Sequence, residues 1–272
     1  MKICRDPFYT VLDTELVIPG LRRQYKIIHI TDLHLSVFDE LSTEEEKQKA
    51  IAQEAFWQEG RERVALIFNE PFDDSKRISS REILDKMISF AKEETPDLLV
   101  MTGDMLDYIS PAGIKALKGA LEGYKGRVMF VEGNHDENCG FAKEDVDTVE
   151  FEDLILAGVN NGSFTVSSNQ ISQLKTLCEG TKPLIIVQHV PVMTEKNKSV
   201  LSRLDKYYYI DKNAPKDGNA REFAELEESC DDIRAVLCGH THGFLPMELA
   251  EGRPEYCGSS ALCGFVHRIT VK

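Results

Sequence analysis

Side chains that can bind divalent metal ions are concentrated in five short segments of the 272-residue chain. These segments are Thr31-Asp32-Leu33-His34, Gly103-Asp104-Met105-Leu106-Asp107, Gly133-Asn134-His135-Asp136, His189-Val190-Pro191 and Gly239-His240-Thr241-His242. Each one directly follows an apolar run of strand length, and loops at strand ends are where rigid scaffolds place reactive groups. Five of the seven histidines lie in these segments. The pattern predicts one site that collects side chains from five strand ends.

The spacing within the segments suits a common centre. Residues two apart in an extended segment project to the same side, so Asp32 can act together with His34, and His240 with His242. A glycine precedes the donor in three of the five segments. Glycine lets the backbone turn sharply beside a crowded centre, because it has no Cβ atom to clash.

The types of donor atom narrow the choice of metal. Carboxylate oxygens, imidazole nitrogens and one amide oxygen suit Mn, Fe or Zn better than an all-oxygen calcium site or a cysteine-rich structural zinc site. Seven donors are too many for one ion and fit two divalent ions that share a carboxylate. The seven candidate ligands are Asp32, His34, Asp104, Asn134, His189, His240 and His242.

The five motifs, in this order, resemble those of the calcineurin-like metallophosphoesterases, and they span most of the chain. The resemblance implies a division of the donors between two metal ions. The first ion would be held by Asp32, His34 and His242. The second would be held by Asn134, His189 and His240, and Asp104 would bridge the pair.

The resemblance also implies a mechanism for cleaving a phosphate ester. Two cations about 3.5–4 Å apart would bind the phosphoryl oxygens and lower the pKa of a bridging water, giving the hydroxide that attacks phosphorus. His135 would act as the general acid that protonates the departing oxygen, and such help is worth roughly 10²–10⁴-fold in rate. Asp107 would orient His135.

Departures from subfamily patterns point to a substrate class. Asp107 is followed by Tyr108-Ile109 rather than the Arg-Gly of protein serine/threonine phosphatases, and it stands where purple acid phosphatases have a tyrosine ligand. The Gly-Asn-His-Asp and Gly-His-Thr-His elements are similar to those of small bacterial class III cyclic-nucleotide phosphodiesterases. We therefore expect hydrolysis of a phosphodiester, such as a cyclic nucleotide or a similar small substrate. The alternative is a phosphomonoesterase acting on nucleotides or sugar phosphates; a nuclease and a non-catalytic scaffold are less favoured.

Apolar runs alternate with segments of helical periodicity, which predicts an α/β fold. The expected strands cover Tyr25–Ile30, Leu98–Thr102, Val128–Val131, 151–159, Leu184–Gln188 and 235–238, with further β-structure from residue 245 onward. The resemblance implies a four-layer α/β/β/α sandwich, in which two mixed β-sheets are flanked by helices. We expect a single domain over residues 1–272, with a helical insertion at about 41–68 and a long loop at about 194–219.

Composition excludes several classes of protein. The net charge of −14 argues against tracking of a nucleic-acid backbone, so the expected partner is a small phosphate-ester substrate. No apolar run is long enough to span a membrane, and residues 1–12 do not form the apolar segment of a signal peptide, so a cytoplasmic location is expected. Seven cysteines without a Cys-x-x-Cys pair predict reduced thiols rather than disulfides.

The sequence leaves open the roles of two regions and of one residue, Asp136, near the predicted site. Tyr207, Tyr208 and Tyr209 either line the cleft or pack within an ordinary loop. The 41–68 insertion either forms a lid or a partner surface or is a solvated helix. Asp136 either fixes the site loop or a ring N–H of the site, or it stabilises a turn.

Overall fold

The strands of this computed structural model, which describes residues 2–5, 10–67, 78–142, 145–213 and 218–272, form two large mixed sheets. The strands are β1 (Lys2–Arg5), β2 (Thr10–Leu16), β3 (Tyr25–Ile30), β4 (Leu98–Thr102), β5 (Val128–Val131), β6 (Val146–Glu150), β7 (Ile155–Val159), β8 (Leu184–Gln188), β9 (Val192–Met193), β10 (Ile210–Asp211), β11 (Ile233–Cys238), β12 (Leu245–Ala250), β13 (Arg253–Cys257) and β14 (Phe265–Val271). The first sheet has the order β1-β2-β14-β3-β4-β5 and the second β12-β13-β11-β8-β7-β6. β9 and β10 form a separate parallel pair.

Helices cover the outer faces of both sheets. They are α1 (Glu44–Ile67), α2 (Ser80–Glu94), α3 (Pro111–Glu122), α4 (Ser168–Cys178), α5 (Lys198–Leu201) and α6 (Gly218–Ser229), with 3₁₀ turns at Lys206–Tyr208 and Ala261–Cys263. A capping box opens α2, where the Ser79 side chain accepts from the Glu82 N–H and the Glu82 side chain accepts from the Ser79 N–H. Pro111 occupies the first turn of α3, where its missing N–H costs nothing.

Alternation along the central strands divides the core into three layers. Val100 and Met129 of the first sheet and Val187 of the second belong to one buried cluster between the sheets. The neighbouring positions face outward: Met101 packs in a cluster with α2 and α3, and Ile186 in a cluster with α4 and α6. Successive side chains of a strand point to opposite faces, so such strands are apolar on both sides. The result is the predicted α/β/β/α sandwich, and the fold class is confirmed.

The parallel strands bring the predicted site segments to one edge. β3, β4 and β5 run parallel to one another, as do β7, β8 and β11 in the second sheet. Their carboxyl ends therefore lie side by side, and the loops that leave them start at neighbouring positions. A hydrogen bond of 2.7 Å between His189 Nδ1 and the Thr102 carbonyl joins the two sheets at this edge.

Two sequence-based assignments of secondary structure need correction. Only Ile155–Val159 of the strand predicted over 151–159 is a strand, β7; residues 151–154 form the turn of a β6–β7 hairpin, closed by a 2.8 Å hydrogen bond from Phe151 N to Leu154 O. The polar Glu152-Asp153 pair inside that apolar run occupies the turn. The loop predicted over 194–219 contains α5, a 3₁₀ turn and β10; its residues 214–217 lie outside the described part of the chain.

The cysteine prediction is also wrong for one pair. Cys178 ends α4 and Cys230 follows α6, and the two form a disulfide although 52 positions separate them. Packing of α4 beside α6 on the outer face of the second sheet brings these sulfurs together, and no sequence spacing signals such a contact. Cys139, Cys238, Cys257 and Cys263 are free thiols.

Among the helices within the described ranges, none combines the length and apolar character needed to cross a membrane.

Candidate metal centre

Two clusters of potential ligand atoms share one carboxylate. Asp32, His34, Asp104 and His242 form the first, and Asp104, His189 and His240 form the second; within each cluster the ligand atoms lie within 4.8 Å of one another. Asn134, the remaining predicted donor, places its Oδ1 3.1 Å from Nε2 of His189. The structure thus brings all seven predicted donors together, with Asp104 between the two groups.

The backbone of the candidate ligands is held in a strained conformation. Eight non-glycine residues of the described chain have positive φ, and five of them are candidate ligands. Their φ angles lie between 50° and 68°, at Asp32, His34, Asp104, His240 and His242. A left-handed backbone costs a non-glycine residue roughly 1–2 kcal/mol. Strain of this kind persists where the surrounding structure enforces it, and it clusters at functional sites.

Two of the predicted glycines are required by close approach. A Cβ atom at Gly133 would overlap the carboxylate of Asp104, and one at Gly239 would overlap the hydroxyl of Thr31. Thr31 Oγ1 in turn donates a 2.6 Å hydrogen bond to Oδ2 of Asp32. The site loops therefore pack too closely for any side chain at these positions.

Hydrogen bonds decide which ring nitrogen His34, His189 and His240 present to the centre. Nδ1 of His189 bonds the Thr102 carbonyl at 2.7 Å, and Nδ1 of His34 lies 3.3 Å from Oδ1 of Asp107. His240 is held the other way round, because its Nε2 bonds the Tyr207 carbonyl at 2.8 Å. A neutral imidazole has one N–H, so anchoring it on an acceptor leaves the other nitrogen as a lone-pair donor. Nε2 of His34 and His189 and Nδ1 of His240 are the nitrogens left to bind a metal.

The centre contains two buried carboxylates, and positive charge near them would stabilise their ionised forms. Asp32 and Asp104 are buried, at 0% and 1% exposed, and their ion-pair partners are the histidines of the clusters. Burial opposes ionisation of Asp104, but the neighbouring His189 outweighs it and holds the pKa of this carboxyl below its usual range. Burial also disfavours the charged ring of His189, yet Asp104 raises the pKa of that ring to about 9. Two divalent cations would supply this positive charge while the rings stay neutral, so the donor set fits them.

Asp107 positions His135 through its backbone. Nδ1 of His135 bonds the Asp107 carbonyl at 2.7 Å, whereas the Asp107 carboxylate is 3.8 Å from the same nitrogen. This bond occupies Nδ1, and the His135 ring borders the cleft beside the clusters. The His135 backbone N–H donates to Oδ1 of Asp104 at 2.9 Å. The main chain of His135 therefore supports the centre, and its side chain is left for chemistry.

A cleft of about 690 Å³ opens over the two clusters. Its floor contains Asp104, Asp107, Asn134, His135, His240 and His242. Residues of α1 and of the 3₁₀ turn at Lys206–Tyr208 also line it; they are Lys49, Ala52, Gln53, Phe56, Trp57, Tyr207 and Tyr208. The helix within the predicted insertion thus borders the cleft, as do two of the three tyrosines; Tyr209 is buried in a separate core cluster.

A comparison with protein-family models matches residues 25–244 to the calcineurin-like phosphoesterases. The chain belongs to this family. As a calcineurin-like phosphoesterase it is a metal-dependent phosphoric ester hydrolase, and its substrate is a phosphate ester. A comparison of its sequence with curated proteins found no match.

Solved structures include several that resemble this phosphoesterase. A dimetal phosphatase from Danio rerio shares its fold, with a TM-score of 0.57 at 11% identity, covering 88% of both chains. A protein of Thermus thermophilus has a TM-score of 0.48 at 11% identity, over 88% of this chain and 91% of that one. The purple acid phosphatase of yellow lupin seeds, also at 0.48 and 11%, matches 96% of this chain and 46% of its own.

Three residues that support the phosphoesterase site were missed or left undecided by the sequence. Asp136 is fully buried and accepts from the backbone N–H groups of Gly133, Met105 and the flanking residues 104 and 106, so it ties two site loops together. Asn161 holds the segment that carries His189 through bonds of 3.0 and 2.9 Å from residues 189 and 190. Trp57 contacts the first cluster from α1. Neither Asn161 nor Trp57 lies near a motif, so no spacing could have signalled it.

Proposed function

We propose that this phosphoesterase is a binuclear-metal-dependent phosphodiesterase that binds Mn, Fe or Zn. The observation that carries the proposal is the pair of donor clusters joined at Asp104. Asp32, His34 and His242 would hold one ion, and Asn134, His189 and His240 the other. When bound, two such ions supply charge for the phosphoryl oxygens and activate a water as the nucleophile.

The chain's own residues account for orientation and proton transfer. Asn134 Nδ2 donates to the Tyr207 hydroxyl at 3.0 Å, which turns Oδ1 of the amide toward the centre. His135, anchored at Nδ1, has Nε2 placed to protonate the departing ester oxygen. Asp107 keeps that ring in one orientation, so its role is positional.

The charge of the cleft favours a diester over a monoester. Of the described residues that line it, Lys49 is the only lysine or arginine, and its Nζ lies 4.0 Å from the ring centre of Tyr108. Arg221 does not line the cleft; its Nε donates to the Lys212 carbonyl. A diester carries one negative charge and needs less cationic clamping than a monoester dianion. The aromatic rings of Trp57 and Tyr207 suit a flat group on the substrate, as in a nucleotide.

The test compares two chromogenic esters on Mn²⁺-reconstituted protein. We expect higher kcat/KM for bis(p-nitrophenyl) phosphate than for p-nitrophenyl phosphate, and turnover of a cyclic nucleotide. Asp104→Asn should abolish both activities, while Lys118→Ala, a surface change on α3, should leave them intact. Preference for the monoester would refute the substrate class, and turnover that survives chelation would refute the metal-dependent mechanism.

A further inference from the structure

Trp57 joins the helix α1 to the first ligand cluster. Its indole Nε1–H donates a 2.9 Å hydrogen bond to Oδ1 of Asp107. Its ring stacks on the imidazole of His34, with 4.1 Å between ring centres and 26° between planes. The Trp57 ring also packs edge-to-face with the imidazole of His242, with 5.3 Å between ring centres. One side chain of α1 thus touches two candidate ligands and the residue that orients the general acid.

The hydrogen bond acts on a residue that has two further contacts, one through its carboxylate and one through its backbone carbonyl. Oδ1 of Asp107 lies 3.3 Å from Nδ1 of His34, and the Asp107 carbonyl holds His135. An indole N–H is a donor only, so Oδ1 of Asp107 accepts from it and is fixed in direction. A fixed carboxylate keeps the proton of His34 on Nδ1 and leaves Nε2 for the centre.

The docking of α1 does not depend on Trp57. Glu54 accepts hydrogen bonds from the backbone and side chain of Ser80, and the side chains of Gln58 and Arg61 donate to the Ile78 carbonyl at 3.0 and 2.9 Å. These contacts tie α1 to the start of α2. Loss of the indole should therefore change the site more than the fold.

We propose that Trp57 is a positioning residue: through it, α1 fixes Asp107 and His34, and through Asp107 it fixes His135. Its effect on metal binding follows from the contacts alone. Its effect on turnover rests on the proposed function of the site.

Metal binding provides a test that needs no turnover. Trp57 is the only tryptophan in the chain, so all tryptophan emission reports on this position. We expect Mn²⁺ to change that emission with a saturating curve, and Trp57→Ala to weaken Mn²⁺ binding about 10-fold or more by calorimetry, within the roughly 10–100-fold range of residues that orient metal ligands. Ile51→Ala, an exposed position of α1 outside the cleft, is the control and should bind Mn²⁺ as the wild type does.

A second variant separates the two contacts of Trp57. Trp57→Phe keeps a ring on His34 but removes the N–H that holds Asp107, so Mn²⁺ affinity should fall less than in Trp57→Ala. Its kcat should fall about 10-fold for a diester with a poor leaving group and much less for a nitrophenyl diester, because His135 is then less well placed. A purely structural role would lower the melting temperature without this dependence on the leaving group.

The outcomes distinguish the inference from the proposed function. If Trp57→Ala binds Mn²⁺ as the wild type does, and the tryptophan emission of the wild type does not change with Mn²⁺, the positioning role is wrong. If Trp57→Phe keeps full kcat on the poor leaving group, the link to His135 is wrong. If no ester is hydrolysed but Trp57→Ala weakens Mn²⁺ binding, the proposed function fails and the positioning role stands.

Discussion

Replacing His135 by alanine should separate catalysis from metal binding. The side chain is outside both donor clusters that meet at Asp104, and the contact of this residue with Asp104 comes from its backbone N–H, which alanine keeps. What is lost is the ring whose Nδ1 bonds the Asp107 carbonyl at 2.7 Å and whose Nε2 is left for the leaving oxygen. General acid catalysis is worth roughly 10²–10⁴-fold, or about 3–5 kcal/mol of transition-state stabilisation.

The assay is a series of diesters with leaving groups of rising pKa, run with saturating Mn²⁺. The kcat of the variant should fall by roughly 10²–10⁴-fold for a diester with an alkyl leaving group. It should fall little for a nitrophenyl diester, because nitrophenolate departs without a proton. Metal content, measured by mass spectrometry after desalting, should match the wild type. Glu137→Ala, an exposed change in the same loop, is the control and should keep full activity. Loss of metal from His135→Ala, or equal losses across the series, would show that the histidine is not the general acid.

Three further predictions concern the site loops and the stability of the fold. Gly133→Ala should displace the carboxylate of Asp104 and abolish Mn²⁺ binding by calorimetry, whereas Gly119→Ala, where a Cβ meets nothing within 4 Å, should bind normally. Burial raises the pKa of Glu255 to about 7, so the folded protein binds the carboxyl proton more tightly than the unfolded chain does. The free energy of unfolding therefore falls as the pH rises from about 4.5 through 7. Urea unfolding of Glu255→Gln should lack a loss of about 2 kcal/mol that the wild type shows between pH 5 and 8; equal pH slopes would contradict the assignment. Cys178→Ser removes a disulfide spanning 52 positions and should lower the unfolding free energy by up to about 4 kcal/mol without reductant. With a reductant, which also opens the disulfide of the wild type, the two proteins should be equally stable.

The sequence predicted the central strands and the donors because both leave local patterns. Leu98–Thr102 is apolar on both faces and ends at Gly103-Asp104, so composition gives the strand and the next residues give the donor. The pair His240 and His242 follows the same logic, although the left-handed φ of both shows that the segment is more sharply turned than a simple extended strand. Short-range chemistry was readable because each piece is contained in a few consecutive residues.

Contacts between distant segments could not be read in this way. Trp57 reaches Asp107 across 50 positions, and its type and helical setting are equally typical of a packed helix face. Asn161 follows β7 outside the five motifs, yet it fixes the backbone of His189. The turn of the β6–β7 hairpin was missed because apolar residues flank its two acidic residues on both sides. Such features depend on which elements become neighbours after folding.

A crystal structure of Mn²⁺-soaked protein, phased with anomalous data at the manganese edge, tests the central claim most directly. The account predicts two anomalous peaks about 3.5–4 Å apart with a carboxylate oxygen of Asp104 between them. His34 and His242 should bind one ion, and His189 and His240 the other. A single peak, or two peaks that Asp104 does not bridge, would contradict it.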